Sequence, residues 1–174
     1  MREENEPINS SPEAFERLIN TVRVKLYKTG MAILKNDDDV CDAIQETLIS
    51  AYQNFSSLRE QQYFSTWITR ILINKCYDII KKNKKVAYIN EQMEVESDCS
   101  YYDRYKEDST VERVLNEIDS ELKLVTVLYY YDDFSVKEIS EMLNIPEGTV
   151  KSRLARARDK MYNILKKEEG ERIG

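Results

Sequence analysis

The chain has 174 residues, 33% of them charged, with a net charge of −6, four glycines, three prolines and no histidine. So few turn formers favour helices over a turn-rich β fold, in one domain or two small ones, and the lack of His removes the commonest general base. Cys41, Cys76 and Cys99 are too scattered for a zinc site or an expected disulfide pair. No apolar run reaches about eighteen residues, and the acidic opening MREENEPINSSPE does not have the pattern of a signal peptide.

A first helix is expected from Ser11 as N-cap and Pro12 at N1, with Glu13 near its positive end. Phe15, Leu18, Ile19, Val22, Leu26, Ile33 and Leu34 give it an apolar face running to about Lys35, with Gly30 as a possible bend. Asn36-Asp37-Asp38-Asp39 then caps a second helix, whose apolar side is Val40, Ala43, Ile44, Thr47, Leu48, Ala51, Tyr52 and Phe55. Its other side carries Asp42, Gln45, Glu46, Ile49 and Gln53, and an isoleucine among polar residues there hints at a protein-docking face.

A loop over Asn54 to Tyr63 leads to FSTWITRILINKCYDIIKKNKK, with Ser65 as the expected N-cap. Ile68, Ile71, Leu72, Cys76, Ile79 and Ile80 form its buried stripe. Trp67, Arg70, Asn74, Tyr77 and Lys81 lie off that stripe, with Asp78 and Lys82 beside them. Aromatic, amide and basic groups interleaved in this way suit unstacked bases and a phosphate backbone.

From 86 to 109 the periodicity is lost and acids gather, which reads as an interdomain linker. Val111, Val114, Leu115 and Ile118 mark a short helix. Ser120 is expected to cap another, packed through Leu122, Val125, Leu128 and Tyr129. In SVKEISEMLNIPEGTVKSRLARARDKMYNILKK, Ile139, Leu143, Ile145, Val150 and Leu154 bury one face of two short helices against each other. Asn144 suits the left-handed turn between them and Pro146 the first position of the second. That second helix has Val150, Leu154, Ala157 and Met161 as an inner stripe, and Arg153, Arg156 and Lys160 as a basic one flanked by Lys151 and Arg158. Such a helix-turn-helix is suited to a DNA major groove.

Charge is segregated along the chain. Arg70 to Lys85 carries six basic residues and one acidic, and Ser135 to Lys167 eight and four, whereas Glu91 to Ser109 has seven acidic and two basic. Two basic helical segments separated by an acidic strip point to two DNA contacts joined by a linker that avoids DNA.

In the order of these parts the chain resembles a bacterial RNA polymerase sigma factor of the extracytoplasmic-function group of the sigma-70 family, over about residues 12 to 85 and 110 to 165. DVCDAIQETLISAYQNF is similar to the family's core-polymerase-binding helix, FSTWITRILINKCYDIIKKNKK to its promoter-melting, −10-reading helix, and EISEMLNIPEGTVKSRLARAR to its −35-reading helix-turn-helix. Asn144 replaces a usual turn Gly, Ser140 a small Ala, Ile118-Asp119 a common Leu-Pro, and Asp132-Asp133-Phe134 stands where a Gly-containing turn is frequent.

The resemblance implies an all-α chain of two small helical domains, residues 1–85 (sigma region 2) and 110–174 (sigma region 4). The flexible linker 86–109 would join them. It implies that Asp42, Gln45, Glu46, Ile49 and Gln53 dock on the β′ clamp helices of core polymerase, with the β flap holding the C-terminal domain. Trp67, Arg70, Asn74, Tyr77, Asp78, Lys81 and Lys82 would serve the −10 element, and Thr149, Lys151, Ser152, Arg153, Arg156 and Lys160 the −35 element of promoter DNA. An anti-sigma factor, membrane-anchored in many members, would control it, and the chain would work in the cytoplasm. No catalytic residue, metal, cofactor or small-molecule substrate is expected. The competing reading is a stand-alone helix-turn-helix transcriptional regulator, which needs a dimer interface or a sensor domain that residues 12 to 85 do not obviously supply.

Overall fold

Helix-forming sequence and local capping account for nearly every element of the computed structural model, which describes residues 11–87 and 110–173. The chain divides into two compact units, split between Cys99 and Ser100. The linker expected over 86–109 therefore lies, beyond Ala87, outside the described residues.

In the N-terminal unit, α1 (Pro12–Leu34) starts at Ser11, whose side chain accepts from the Ala14 amide, and ends at Lys35 in the left-handed conformation, φ 60°. The caps therefore fall where expected. Helix α2 (Asp37–Gln53) begins at Asn36, whose side chain accepts from the Asp38 and Asp39 amides, at 2.9 and 3.2 Å. Two 3₁₀ turns, Phe55–Ser57 and Gln61–Tyr63, lead into α3 (Phe64–Ala87). Ser65 is thus inside α3 rather than its cap. Phe64 already has helical angles and sits 2% exposed, so the 3₁₀ turn feeds the helix directly.

The three helices pack on one another through Leu26, Val40, Ala43, Ile68, Leu72 and Ile73. Edge-on contacts of Phe15 with Tyr52, Phe55 and Phe64, at 5.1–6.2 Å between ring centres, add an aromatic cluster. Gly30 does not interrupt α1, and the structure gives its missing side chain a packing reason. A Cβ there would lie 2.9 Å from Cγ1 of the fully buried Val40, so its missing side chain lets α1 and α2 approach closely. Ile73, outside the expected stripe, is buried, whereas Tyr52, expected within the apolar face of α2, is 52% exposed. Cys41 is disulfide-bonded, contrary to expectation; spacing along the chain does not say which sulfurs the fold brings together. Cys76 is a buried free thiol, and loss of solvent pushes its pKa up to about 12.

In the C-terminal unit, α4 (Thr110–Glu117) is followed by α5 (Ser120–Thr126), which widens into a π turn over Val127–Tyr131. The N-cap of α5 is Asp119, one residue earlier than expected, because its carbonyl accepts from the Leu122 and Lys123 amides. The π turn is closed by Asp132 N–H donating to the Val127 carbonyl at 3.0 Å. It leaves Leu128 and Phe134 buried while Tyr129, expected in the packing, is exposed together with Tyr130 and Tyr131. Asp133 takes a positive φ of 63° in the turn that follows. Helices α6 (Val136–Leu143) and α7 (Glu147–Ile173) complete the unit.

Candidate nucleic-acid and polymerase interfaces

On α3, burial of Ile68, Leu72, Ile73 and Cys76 turns the opposite side outward. Arg70, Asn74, Tyr77 and Lys81 are all exposed there and recur at i, i+4, i+7 and i+11, so they form one stripe. Asp78 and Lys82 are exposed beside it, and Asp78 lies 3.7 Å from Lys81. Trp67 is half-buried at the margin, tilted against Phe64 with 6.0 Å between ring centres, so it belongs partly to the aromatic cluster. Within the segment leading to α3, Ser56, Ser57, Arg59, Gln61, Gln62 and Tyr63 are exposed.

The outer face of α2 gathers all five residues expected on it: Asp42, Gln45, Glu46, Ile49 and Gln53 are exposed. Ile49 is 59% exposed, and Tyr52, three residues on, enlarges the apolar centre of this face. Periodicity missed Tyr52 because it also touches Phe15 edge-on. Glu46 reaches Lys75 of α3 at 3.3 Å, an ion pair between the two helices.

In the C-terminal unit the helix-turn-helix is built by local bonds. Ser135 and Glu138 make a capping box: the Glu138 amide donates to Ser135 Oγ at 3.2 Å, and the Ser135 amide to Glu138 Oε2 at 2.9 Å. The S-x-x-E pattern was there to be read. Asn144 ends α6 at φ 52°, left-handed as expected. Ser140 donates its hydroxyl to the Ile145 carbonyl at 2.6 Å, so its departure from a small Ala adds a bond across the turn. Pro146 sits one residue before α7, not at its first position, and its carbonyl accepts from the Thr149 and Val150 amides.

The inner stripe of α7 is as expected. Val150, Leu154 and Ala157 are buried, Met161 is half-buried, and Ala157 packs with Ile118 and Leu122. Lys151, Ser152 and Arg156 are exposed and Thr149 is half-buried, with Lys151 lying 3.9 Å from Glu147. Arg153 and Lys160 are placed differently. Arg153 Nη2 donates to Glu121 Oε2 at 2.5 Å, and Lys160 donates to Asp119 Oδ2. The Lys160 hydrogen bond and charge, with help from Arg156, hold the Asp119 carboxyl below the usual carboxylate range. Sequence reasoning missed both acids, since nothing local links them to α7. Arg158 donates to the Tyr130 hydroxyl at 3.1 Å.

Among the described residues no group of His, Cys, Asp and Glu side chains could hold a metal ion, and no helix is long and apolar enough to cross a membrane. What the surfaces offer is recognition: a polar-rimmed apolar helix face, an amide–aromatic–basic stripe, and a basic helix-turn-helix.

Comparison with known proteins agrees with that inventory. The family description Sigma-70 region 2 matches residues 18–86, and Sigma-70, region 4 matches residues 109–161. The ECF RNA polymerase sigma factor SigW of Bacillus subtilis is 30% identical over 168 residues, which span 88% of this chain and 90% of that protein. The ECF RNA polymerase sigma factor SigM of Mycobacterium tuberculosis is 28% identical, over 87% of this chain and 77% of that protein. In fold, the chain is similar to the sigma factor RpoE of Bartonella quintana, solved with the anti-sigma factor NepR (TM-score 0.70, 20% identity, 88% of this chain and 98% of that one). It is similar also to CnrH, solved with the cytosolic domain of CnrY (TM-score 0.61, 22% identity, 90% of each chain). With both regions matched in order, on the helices that carry the exposed faces, the chain belongs to the ECF RNA polymerase sigma factors of the sigma-70 family.

Proposed function

We propose that this sigma factor docks on core RNA polymerase through the outer face of α2, captures −10 bases with α3, and reads the −35 element with α7. The observation that carries the reading is the exposed stripe of Arg70, Asn74, Tyr77 and Lys81 on the helix matched to region 2. Bases leaving the stack cost a few kcal/mol, roughly what aromatic stacking and a basic groove return. Asn74 and Tyr77, with the exposed side chains between Ser56 and Tyr63, supply amide and ring partners for non-template bases, and Arg70, Lys81 and Lys82 supply charge for the backbone. Trp67 borders this stripe, and Asp78 lies beside it, 3.7 Å from Lys81.

On α7, the exposed Arg156 and Lys151, the latter 3.9 Å from Glu147, face outward towards base edges and phosphates, with Ser152 and Thr149 beside them. On α2, Ile49 is the apolar anchor and Asp42, Gln45, Glu46 and Gln53 form the polar rim against the β′ clamp helices, while the β flap holds the C-terminal unit. The chain makes no bond; the chemistry is the polymerase's, and the site of work is the cytoplasm.

An anti-sigma protein is the partner that controls it. Two solved neighbours of like fold, RpoE and CnrH, were captured with NepR and with the cytosolic domain of CnrY.

The test is run-off transcription by purified core polymerase with and without the full chain. Promoter-specific transcripts are expected only with the chain. A duplex-bound dimer that needs no polymerase would replace this reading with that of a stand-alone regulator.

A further inference from the structure

Four basic side chains in the first half of α7 fall into two sets, and a fifth, Arg158, is bonded to Tyr130. Lys151 and Arg156 are exposed on the outward arc with Ser152. Arg153 and Lys160, seven residues apart and so in line along the helix, lie on its flank against the start of α5. Arg153 is bonded to Glu121, its side chain is only 18% exposed, and its Nε is buried with no hydrogen-bond partner among the described residues. Lys160 is bonded to Asp119, whose carboxylate makes no capping bond to α5 and is thus left to serve the lysine. Neither acid is there to fill space, since the side chains of Asp119 and Glu121 are 66% and 71% exposed.

Resting on the assignment of α7 as the DNA reader, we propose that Asp119 and Glu121 hold Lys160 and Arg153 as DNA phosphates would. They thereby withhold these two cations from the backbone and leave contact to Lys151 and Arg156. Carboxylate and phosphate oxygens compete for the same charge-assisted N–H donors. A cation that reaches phosphate adds affinity for every sequence alike, and adds about 0.9 to the steepness with which log K falls against log salt. Occupying two such cations internally lowers sequence-independent binding and spares base readout. The helix thus discriminates better than its full basic complement would allow. Asp119 and Glu121 are positioning residues, acting on DNA only through their partners.

The experiment measures binding of the full chain to a mixed-sequence duplex of about three helical turns, by fluorescence anisotropy between about 50 and 200 mM KCl. Asp119→Asn with Glu121→Gln is expected to tighten binding and steepen the slope by up to about 1.8, two phosphates' worth. Adding Arg153→Gln and Lys160→Gln to that background should remove the gain. Those two substitutions in the otherwise native chain should leave the slope unchanged. Arg156→Ala, the control for the underlying reading, should lower it by about 1. If Arg156→Ala lowers the slope but the acid substitutions do not raise it, the withholding role is wrong and α7 remains the reader. A gain that survives loss of Arg153 and Lys160 would come from the general field of the acids and would equally overturn the proposal. An unchanged slope in Arg156→Ala removes α7 as the DNA reader, and this inference with it.

Discussion

Gly30 carries a packing constraint of the N-terminal unit in one residue. Replacing it with Ala gains about 1 kcal/mol of helix propensity but forces a Cβ against a stiff, β-branched Val40 with no room to turn. Overpacking of this kind costs about 1–3 kcal/mol, so Gly30→Ala is expected to destabilise the unit by about 1 kcal/mol net. Trp67 is the only tryptophan in the chain, which makes its fluorescence a local reporter of that unit in urea unfolding. The Trp67 transition should move to lower urea, and Val40→Ala added to it should cost less than the sum of the two single changes. A Gly30→Ala protein more stable than the parent would mean that Val40 yields and the contact is slack.

Among elements, α6 depends most on its ends, being only the eight residues Val136–Leu143. So short a helix does not stand by its own propensity, so the capping box and the left-handed Asn144 hold it while Ile139 and Met142 are buried. Ser135→Ala should cost about 1 kcal/mol. That loss should appear in the circular-dichroism transition of the C-terminal unit and leave the Trp67 transition in place. A shift in both signals would show that the two units unfold together. Helix α2 poses the opposite case, since Gln45 and Ile49 on its outer face are exposed. Gln45→Lys with Ile49→Glu should leave secondary structure and unfolding unchanged and abolish co-purification with core polymerase. Normal holoenzyme formation by that folded variant would move the docking face elsewhere.

For the whole molecule, the consequence of having two units is a division of labour that mutation can separate. Asn74→Ala should spare duplex binding by holoenzyme and slow strand opening, seen as weaker permanganate reactivity around the start site. Arg156→Ala should weaken promoter binding by about 1–3 kcal/mol if its contact reads a base, and relax preference at that position. The same defect from both changes would mean that the units do not divide the work this way. The proposed control by an anti-sigma protein would act at this scale too, because the α2 face and the α7 face lie on different units.

Much of this was readable from the chain itself, for a physical reason. Caps, left-handed turns and amphipathic stripes act over i to i+4, so Ser11, Asn36 and Asn144, the inner face of α7 and the outer faces of α2 and α3 all declared themselves locally. The order of those parts along the chain was enough to point to the family. Where neighbouring turns compete, local signals slip by a residue, as they do at Phe64 against Ser65, Asp119 against Ser120 and Pro146 against Glu147. Only tertiary structure decided which groups meet across the chain. Arg153 finds Glu121 across 32 residues and Lys160 finds Asp119 across 41, neither with any spacing rule to announce it. The same holds for Gly30 against Val40 and for the burial of Ile73. Such pairings depend on how α1 packs on α2 and α5 on α7, and it is this packing that sorts the basic residues of one helix into those paired with α5 and those that are not.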